Sequence, residues 1–489
     1  MLIKQLSQPF QYKKIQLNEK TVQQKSKPKH VFKTLKRIWN YLAKEKVILL
    51  CVVLFVLISS ALGLLGPYMV GMAIDDYIVT QQYEGLKTLL LGLFCIYVMY
   101  SLAIFLQNFL MVGVAQKTVY TLREELFNQF HYLPISFFDK RQHGELMSRV
   151  TNDIDNINNT LNSSFVQIIS SIVTLTGTVT VMLMLSPILT VITMTIIPLM
   201  FFGMRWITNR TGPLYKIQQH DLGDVNGYVE EIISGQHIVK TFSQEHRVIQ
   251  TFKQKNKALQ LSGFWSMTFS GFIPKVMNML NFLSFGLIAL FGGLLALHDI
   301  LTVGVIVIFI EYARQFTRPL NELSNQFNIL LSAIAGAERV FHVIDETQEE
   351  EDEKSAKDIA TTKGHVVFDQ VSFAYEKELI LKDISFEANP GQTIAFVGHT
   401  GAGKTTLINL ISRFYNCSSG KILLDGIDIK NIKRYSLRSH MAFVLQDPFL
   451  FHGTIKENIR YGRLDATDEE VILAAKHANA HDFIMELPD

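Results

Sequence analysis

Apolar and charged positions divide this chain near residue 345. Before that point, uncharged runs recur that are long enough to cross a bilayer, which takes roughly 20 mostly apolar residues. Val47–Ile74 contains no Asp, Glu, Lys or Arg, and neither does Thr88–Gln116. Asn156–Met204 is uncharged over 49 residues, too long for one crossing. Ser186-Pro187 lies in its middle, and proline ends the helix before it, so two spans are expected there. Val276–His298 gives a fifth span. Residues 300–320 give a sixth, with Glu311, Arg314 and Arg318 inside it. Ahead of the first span, His30–Lys46 places Val31, Leu35, Ile38 and Leu42 at helical spacing, with Phe32 and Trp39 beside them and lysines elsewhere on the wheel. That pattern predicts an amphipathic helix at the headgroup boundary. The two even-numbered connections, about 117–155 and 205–260, are long, polar and rich in helix formers. Structureless loops of that length are uncommon, so helices that run on past the membrane are predicted.

After residue 345 the pattern becomes that of a soluble α/β protein. Asp345–Asp358 is acidic and reads as a solvated linker. Short runs at 365–368, 384–387 and 393–397 read as strands.

Charge fixes orientation. Residues 1–46 hold 12 Lys/Arg against Glu19 and Glu45, while the first outer loop holds Asp75, Asp76 and Glu84 against Lys87. Basic flanks stay on the cytoplasmic side, so the N-terminus is inside and, after six crossings, so is the soluble part. The net charge of +2 gives no ground for a nucleic-acid partner. Cys51, Cys95 and Cys417 are too few and too scattered for a disulfide framework. About 46 mostly polar residues precede the first apolar run, which excludes a secretory signal at this end.

The last strand-like run leads into Gly398-His399-Thr400-Gly401-Ala402-Gly403-Lys404-Thr405-Thr406. This fits G-x-x-x-x-G-K-[ST], in which glycines let successive backbone N–H groups surround a phosphate and the next helix adds its positive end. ATP and Mg²⁺ are the cofactors predicted. Lys404 would reach the β- and γ-phosphates, and Thr405 would ligate the metal.

Six spans followed by this loop resemble the ABC exporter family, in the form of half-transporters with one membrane domain and one nucleotide-binding domain per chain. The fold class implied is an α-helical membrane domain of six transmembrane helices with long cytoplasmic extensions, plus a partial α/β P-loop domain. The domains are residues 1–46, a cytoplasmic segment with the interfacial helix; 47–340, the six-span domain; 341–363, the acidic linker; and 364–489, the N-terminal half of the nucleotide-binding domain. The run Val371-Ser372-Phe373-Ala374-Tyr375 resembles the family's opening strand and implies that Tyr375 stacks on adenine. The run Val444-Leu445-Gln446-Asp447-Pro448 resembles its Q-loop and implies that Gln446 meets Mg²⁺ and the attacking water. The stretches 137–149 and 230–242 resemble the two intracellular loops, each carrying a coupling helix.

The resemblance implies a subunit that moves hydrophobic or amphipathic compounds out across the cell membrane, paired with a second half-transporter as homodimer or heterodimer. The S-G-G-Q signature, the Asp-Glu end of the Walker B strand and the switch histidine do not occur in these 489 residues. The chain is therefore expected to stop short of the catalytic glutamate and not to hydrolyse ATP alone. His477 and His481 lie in a helix-like stretch and are not promoted to the switch role. A nucleotide-gated regulatory or channel-like protein is the alternative; an importer fits poorly because membrane and nucleotide-binding parts are fused. Glu311 and Arg314, three apart on a helix, are expected to pair or to touch substrate.

Overall fold

A computed structural model describes residues 30–81, 84–376, 378–446 and 448–488. Most of the predicted N-terminal segment, Asp447 of the Q-loop-like run and Asp489 lie outside the described residues. The chain forms two compact units. Residues up to Leu133 join Arg141–Gln348 in the first, and Pro134–Lys140 joins Glu349 onward in the second.

The first unit is helical. Helix α1 (Val31–Leu42) leads into α2 (Lys46–Met72), which continues through a π-helical segment, Ala73–Val79. Helix α3 is Leu86–Tyr132 and holds 47 residues. After the short α4 (Ile135–Asp139), which belongs to the second unit, the helical run α5 covers His143–Leu185, with π-helical turns at Arg149–Asp153 and Thr160–Ser164. The run α6 is Pro187–Ser234, the short α7 is Gln236–Thr241, α8 is Glu245–Leu297 and α9 is Val303–Ile344. At 1.5 Å per residue α3 and α8 are about 70 and 80 Å long, more than twice a hydrocarbon core of about 30 Å. The predicted extensions are therefore helical.

The break inside the 49-residue uncharged run falls where expected. Ser186 is extended, Pro187 opens α6, and the Ser186 hydroxyl accepts the Leu189 N–H at 3.3 Å. Proline there lacks only an N–H that no helix would have used, and serine supplies the cap.

Among the described residues six helices are long and apolar enough to cross a membrane. The sixth differs from the expected boundary: by length and composition it is Asn325–Ile344. Glu311, Arg314 and Arg318 penalise the first half of α9, yet that half runs antiparallel along α2. Gly304 abuts Gly71, and the Tyr312 hydroxyl donates to Leu64 O at 2.7 Å. The polar end of α9 instead meets polar partners, Arg339 donating to buried Asp153 at 2.8 Å and Gln129 to Glu346 O at 2.8 Å. The charges in the first half are paired: Arg314 with Glu311 at 3.3 Å, Arg318 with Glu322 at 2.9 Å.

Helices α2 and α9 approach closely where the end of α2 meets the start of α9. A Cβ on Gly304 would lie 2.3 Å from Gly71 O, and one on Gly71 would lie 2.3 Å from the Ile308 side chain. Only glycine permits this approach. It brings the Asp75 carboxylate onto the start of α9, where it accepts Gly304 N–H at 2.7 Å and the Thr302 hydroxyl. An anion at a helix N-terminus satisfies a donor that has no partner within the helix.

The second unit holds a four-stranded antiparallel sheet in the order β2-β1-β3-β4, from β1 (Val366–Phe373), β2 (Leu381–Ala388), β3 (Ser419–Leu424) and β4 (Ile427–Asp428). Phe368, Val371, Phe373, Ile422 and Leu424 point from it into a core shared with Leu407, Leu410 and Leu437. Helix α10 is Lys404–Ile411, α11 is Arg434–Ser439, α12 is Ile455–Arg460, α13 is Asp468–His477 and α14 is His481–Met485.

Two expectations are corrected. Residues 393–397 form no strand, and Val397 is 94% exposed. A strand needs hydrogen-bonded neighbours, and none lies beside this run among the described residues. The acidic stretch is solvated only in part. Asp352 accepts from Arg434 N at 2.8 Å and from the guanidinium groups of Arg434 (3.2 Å) and Arg413 (3.3 Å), while Glu349 pairs with Arg438 at 2.7 Å. The cause is burial. Arg413 is only 7% exposed, and buried guanidinium groups need counter-charges.

Candidate functional site

The glycine-rich loop lies between the exposed run at 393–397 and α10. Gly401 and Gly403 both adopt left-handed backbone, at φ +88° and +89°. A β-carbon at such angles is strained; one at Gly403 would also come 2.6 Å from Leu381. The loop turns back on itself, Ala402 N donating to His399 O at 3.2 Å. Lys404 folds across it, its ammonium donating to Gly398 O and His399 O at 2.8 Å each. The cation is thus held over the hollow by carbonyls, and among the described residues no carboxylate pairs with it.

Thr400, Gly401, Ala402 and Thr405 are exposed, so the mouth of the loop is open. Thr406 is buried on the opposite side of the first turn of α10, where its hydroxyl accepts from Tyr375 at 3.3 Å. The structure brings Tyr375 to the phosphate loop in this way. Its ring packs edge-on against Phe373 and Tyr415, each centroid 4.8 Å away, and Asn409 donates to its oxygen at 3.3 Å. Gln446 is exposed in a stretch without regular structure, and no hydrogen bond links its side chain to the loop. His477 ends α13 and His481 opens α14; neither is near the loop in sequence or bonded to it.

Several residues around the loop carry no motif and were not anticipated. Tyr415 links two features: it packs on Tyr375, and its hydroxyl donates to Asp139 of α4 at 2.7 Å. Burial, then the Asp139 carboxylate, pushes its phenol well above the ordinary range. Arg413, two residues earlier, has its guanidinium pulled below the usual value by burial first and by Arg434 second. Arg434 and Arg438 share one face of α11 by their spacing of four, but nothing in the local sequence announces that Arg413 joins them.

The short helices α4 and α7 fall in the two stretches expected to carry coupling helices. Phe137 of α4 is buried, whereas Ile238 of α7 is exposed, as is Phe242 just after it.

Comparison with known proteins places both units. Residues 49–320 match the ABC transporter transmembrane region, and residues 381–488 match the ABC transporter family of nucleotide-binding domains. The whole chain aligns at 56% identity with the ABC transporter ATP-binding protein YfiC of Bacillus subtilis, covering 81% of that protein. A fatty acid ABC transporter ATP-binding/permease protein of Mycobacterium bovis is 40% identical over 82% of this chain and 63% of its own length. An ATP-dependent lipid A-core flippase of Syntrophus aciditrophicus is 32% identical over 88% of this chain and 72% of its own.

Proposed function

Because the chain belongs to the ABC transporter family, as a half-transporter of the exporter type, we propose that it binds MgATP at the 398–406 loop and, paired with a second half-transporter, exports hydrophobic or amphipathic compounds. The observation that carries this reading is the loop itself: two left-handed glycines, an open mouth and a lysine held only by carbonyls. Phosphate oxygens would replace those carbonyls as acceptors, a charge-assisted exchange. Thr405 and Gln446 would hold Mg²⁺, which would neutralise phosphate charge. Tyr375 would stack on the base with whatever part of its ring Phe373 and Tyr415 leave open.

The soluble unit and the basic N-terminus lie on the cytoplasmic side in this reading, supported by loop charge. Nucleotide can drive transport only if it binds one arrangement of the paired subunits better than another. The exposed apolar residues around α7, Ile233, Ile238 and Phe242, suit docking on a partner's soluble unit. A fatty acid and a lipid are the substrates in the names of two relatives. Both are amphipathic, and that is the substrate class proposed here.

Equilibrium binding of a fluorescent ATP analogue to the purified chain tests the site. Lys404→Ala is expected to weaken binding at least about tenfold, the loss of a charge-assisted contact. Equal binding by both proteins would overturn the site.

A further inference from the structure

We infer that α1 is a receptor for anionic phospholipid on the cytoplasmic leaflet, and that it reports leaflet charge to the exit of α9. The inference rests on how the structure divides the surface of this one helix. At 100° per residue, its side chains fall into three sectors rather than the two of an ordinary amphipathic helix.

The first sector is bolted to protein. Thr34, Ile38 and Leu42 are buried. At its edge, Arg37 pairs with Asp345 at 2.6 Å and lies 4.2 Å over the Phe341 ring. His30 N donates to Glu338 at 2.7 Å. Tyr41 stacks on Phe341 and donates to Glu125. Glu338, Phe341 and Asp345 are all in or just after the last two turns of α9.

The second sector is apolar and open, with Phe32 83% exposed and Trp39 52% exposed. Trp39 meets the Phe165 ring at a centroid distance of 6.5 Å and leaves the rest of its indole open. A Phe and a Trp one side of a helix, beside a membrane-crossing segment, suit the acyl–headgroup boundary.

The third sector is basic. Lys33 and Lys36 are exposed on it, and Lys44 is exposed in the tight turn that continues α1, Ala43–Glu45. Among the described residues none of the three meets a carboxylate; Lys44 lies 4.9 Å over the Tyr41 ring. The acids nearby are spent elsewhere: Glu45 on Lys117, Asp345 on Arg37, Glu125 on Tyr41. Three uncompensated ammonium groups beside an exposed indole select the occupant, since a row of phosphodiesters satisfies them and a zwitterionic surface does so less well. Each such lysine favours an anionic surface by roughly fivefold in partitioning.

The test uses the full chain in nanodiscs. The protein has 3 Trp, so Trp206→Phe with Trp265→Phe leaves Trp39 as the reporter. Brominated phosphatidylglycerol and brominated phosphatidylcholine are compared as quenchers at equal mole fraction. Quenching by the anionic lipid is expected to exceed that by the zwitterionic one at least about twofold, and the difference to vanish when Lys33, Lys36 and Lys44 are all changed to Glu. Phe32→Ser should lower quenching by both lipids alike. Equal quenching by the two lipids in the parent protein would overturn the inference in favour of simple hydrocarbon contact. Absence of quenching by either would overturn it in favour of a protein partner on this face. Amide exchange of residues 338–345 reads the coupling. Protection should rise several-fold in anionic lipid for the parent and not for the triple lysine variant; identical exchange in both lipids would sink that part.

Discussion

The two units differ in how their backbones are satisfied. Every long element of the first unit is a helix, whose N–H and C=O groups pair within a few residues of each other. Helix α8 needs no distant segment to exist as a helix; only its packing needs others. The second unit is built on strands, whose backbone groups must be met by residues far away in the chain. Val366 pairs with Ala388 on one side and with Leu424 on the other. Where such partners are present, the strands pair, with register shifts around Gln370, and the apolar face of the sheet is buried. At 393–397 none lies alongside, and the same kind of sequence remains extended and exposed. A helix can thus be judged from its own residues, and a strand only with its neighbours.

Packing tolerance sharpens the contrast. In the first unit one of the tightest points is a backbone contact, Gly304 against Gly71 O. Gly304→Val forces two helices apart and is expected to destabilise the membrane unit by about 3 kcal/mol, at the upper end for overpacking. Thermal unfolding in detergent checks this, and wild-type stability would show that the helices slip freely past one another. In the second unit the weak point is electrostatic. Asp352→Asn leaves Arg413 and Arg434 with less charge compensation, and about 2 kcal/mol of stability should be lost, less than for a fully buried pair because Asp352 keeps some solvent contact. Denaturant unfolding followed by exchange at α11 reads it. The smallest effect is expected for Tyr375→Phe, which removes the bonds to Thr406 and Asn409 and keeps the ring. That change should cost roughly 1 kcal/mol in the soluble unit and leave analogue affinity within about twofold, whereas Tyr375→Ala should weaken it if the ring stacks on the base.

Much of the first unit was legible because helical and hydrophobic periods are local. The uncharged runs, the Ser186-Pro187 break and the extension of helices past the membrane all follow from stretches of a few dozen residues. The exception is α9, where Glu311, Arg314 and Arg318 interrupt the expected span and the membrane-long apolar segment falls later, at Asn325–Ile344; the Glu311–Arg314 pair is the one their spacing of three predicts. In the second unit the loop at 398–406 was legible because its geometry demands glycine at Gly401 and Gly403, and few other sequences turn that way. The acidic run at 345–358 was legible only in part, for the opposite reason. Its charge looked like solvation, while its true partners, Arg413, Arg434 and Arg438, lie 60 to 90 residues later. Tyr415 was invisible to motif reading because it acts through shape, filling the space between Tyr375 and Asp139.

The carboxylate of Asp75 on the start of α9 has a consequence for biosynthesis. Its two sides are 229 residues apart in the chain, so ribosomes must make nearly the whole membrane unit before the contact can form. Until Val303 emerges, the glycine surface of α2 has no occupant, and Asp75 keeps its water. Contacts of such separation close late and slowly. The first and last crossings therefore complete the bundle together, and a chain interrupted before the sixth would expose an unfilled groove of the kind that chaperones and proteases recognise.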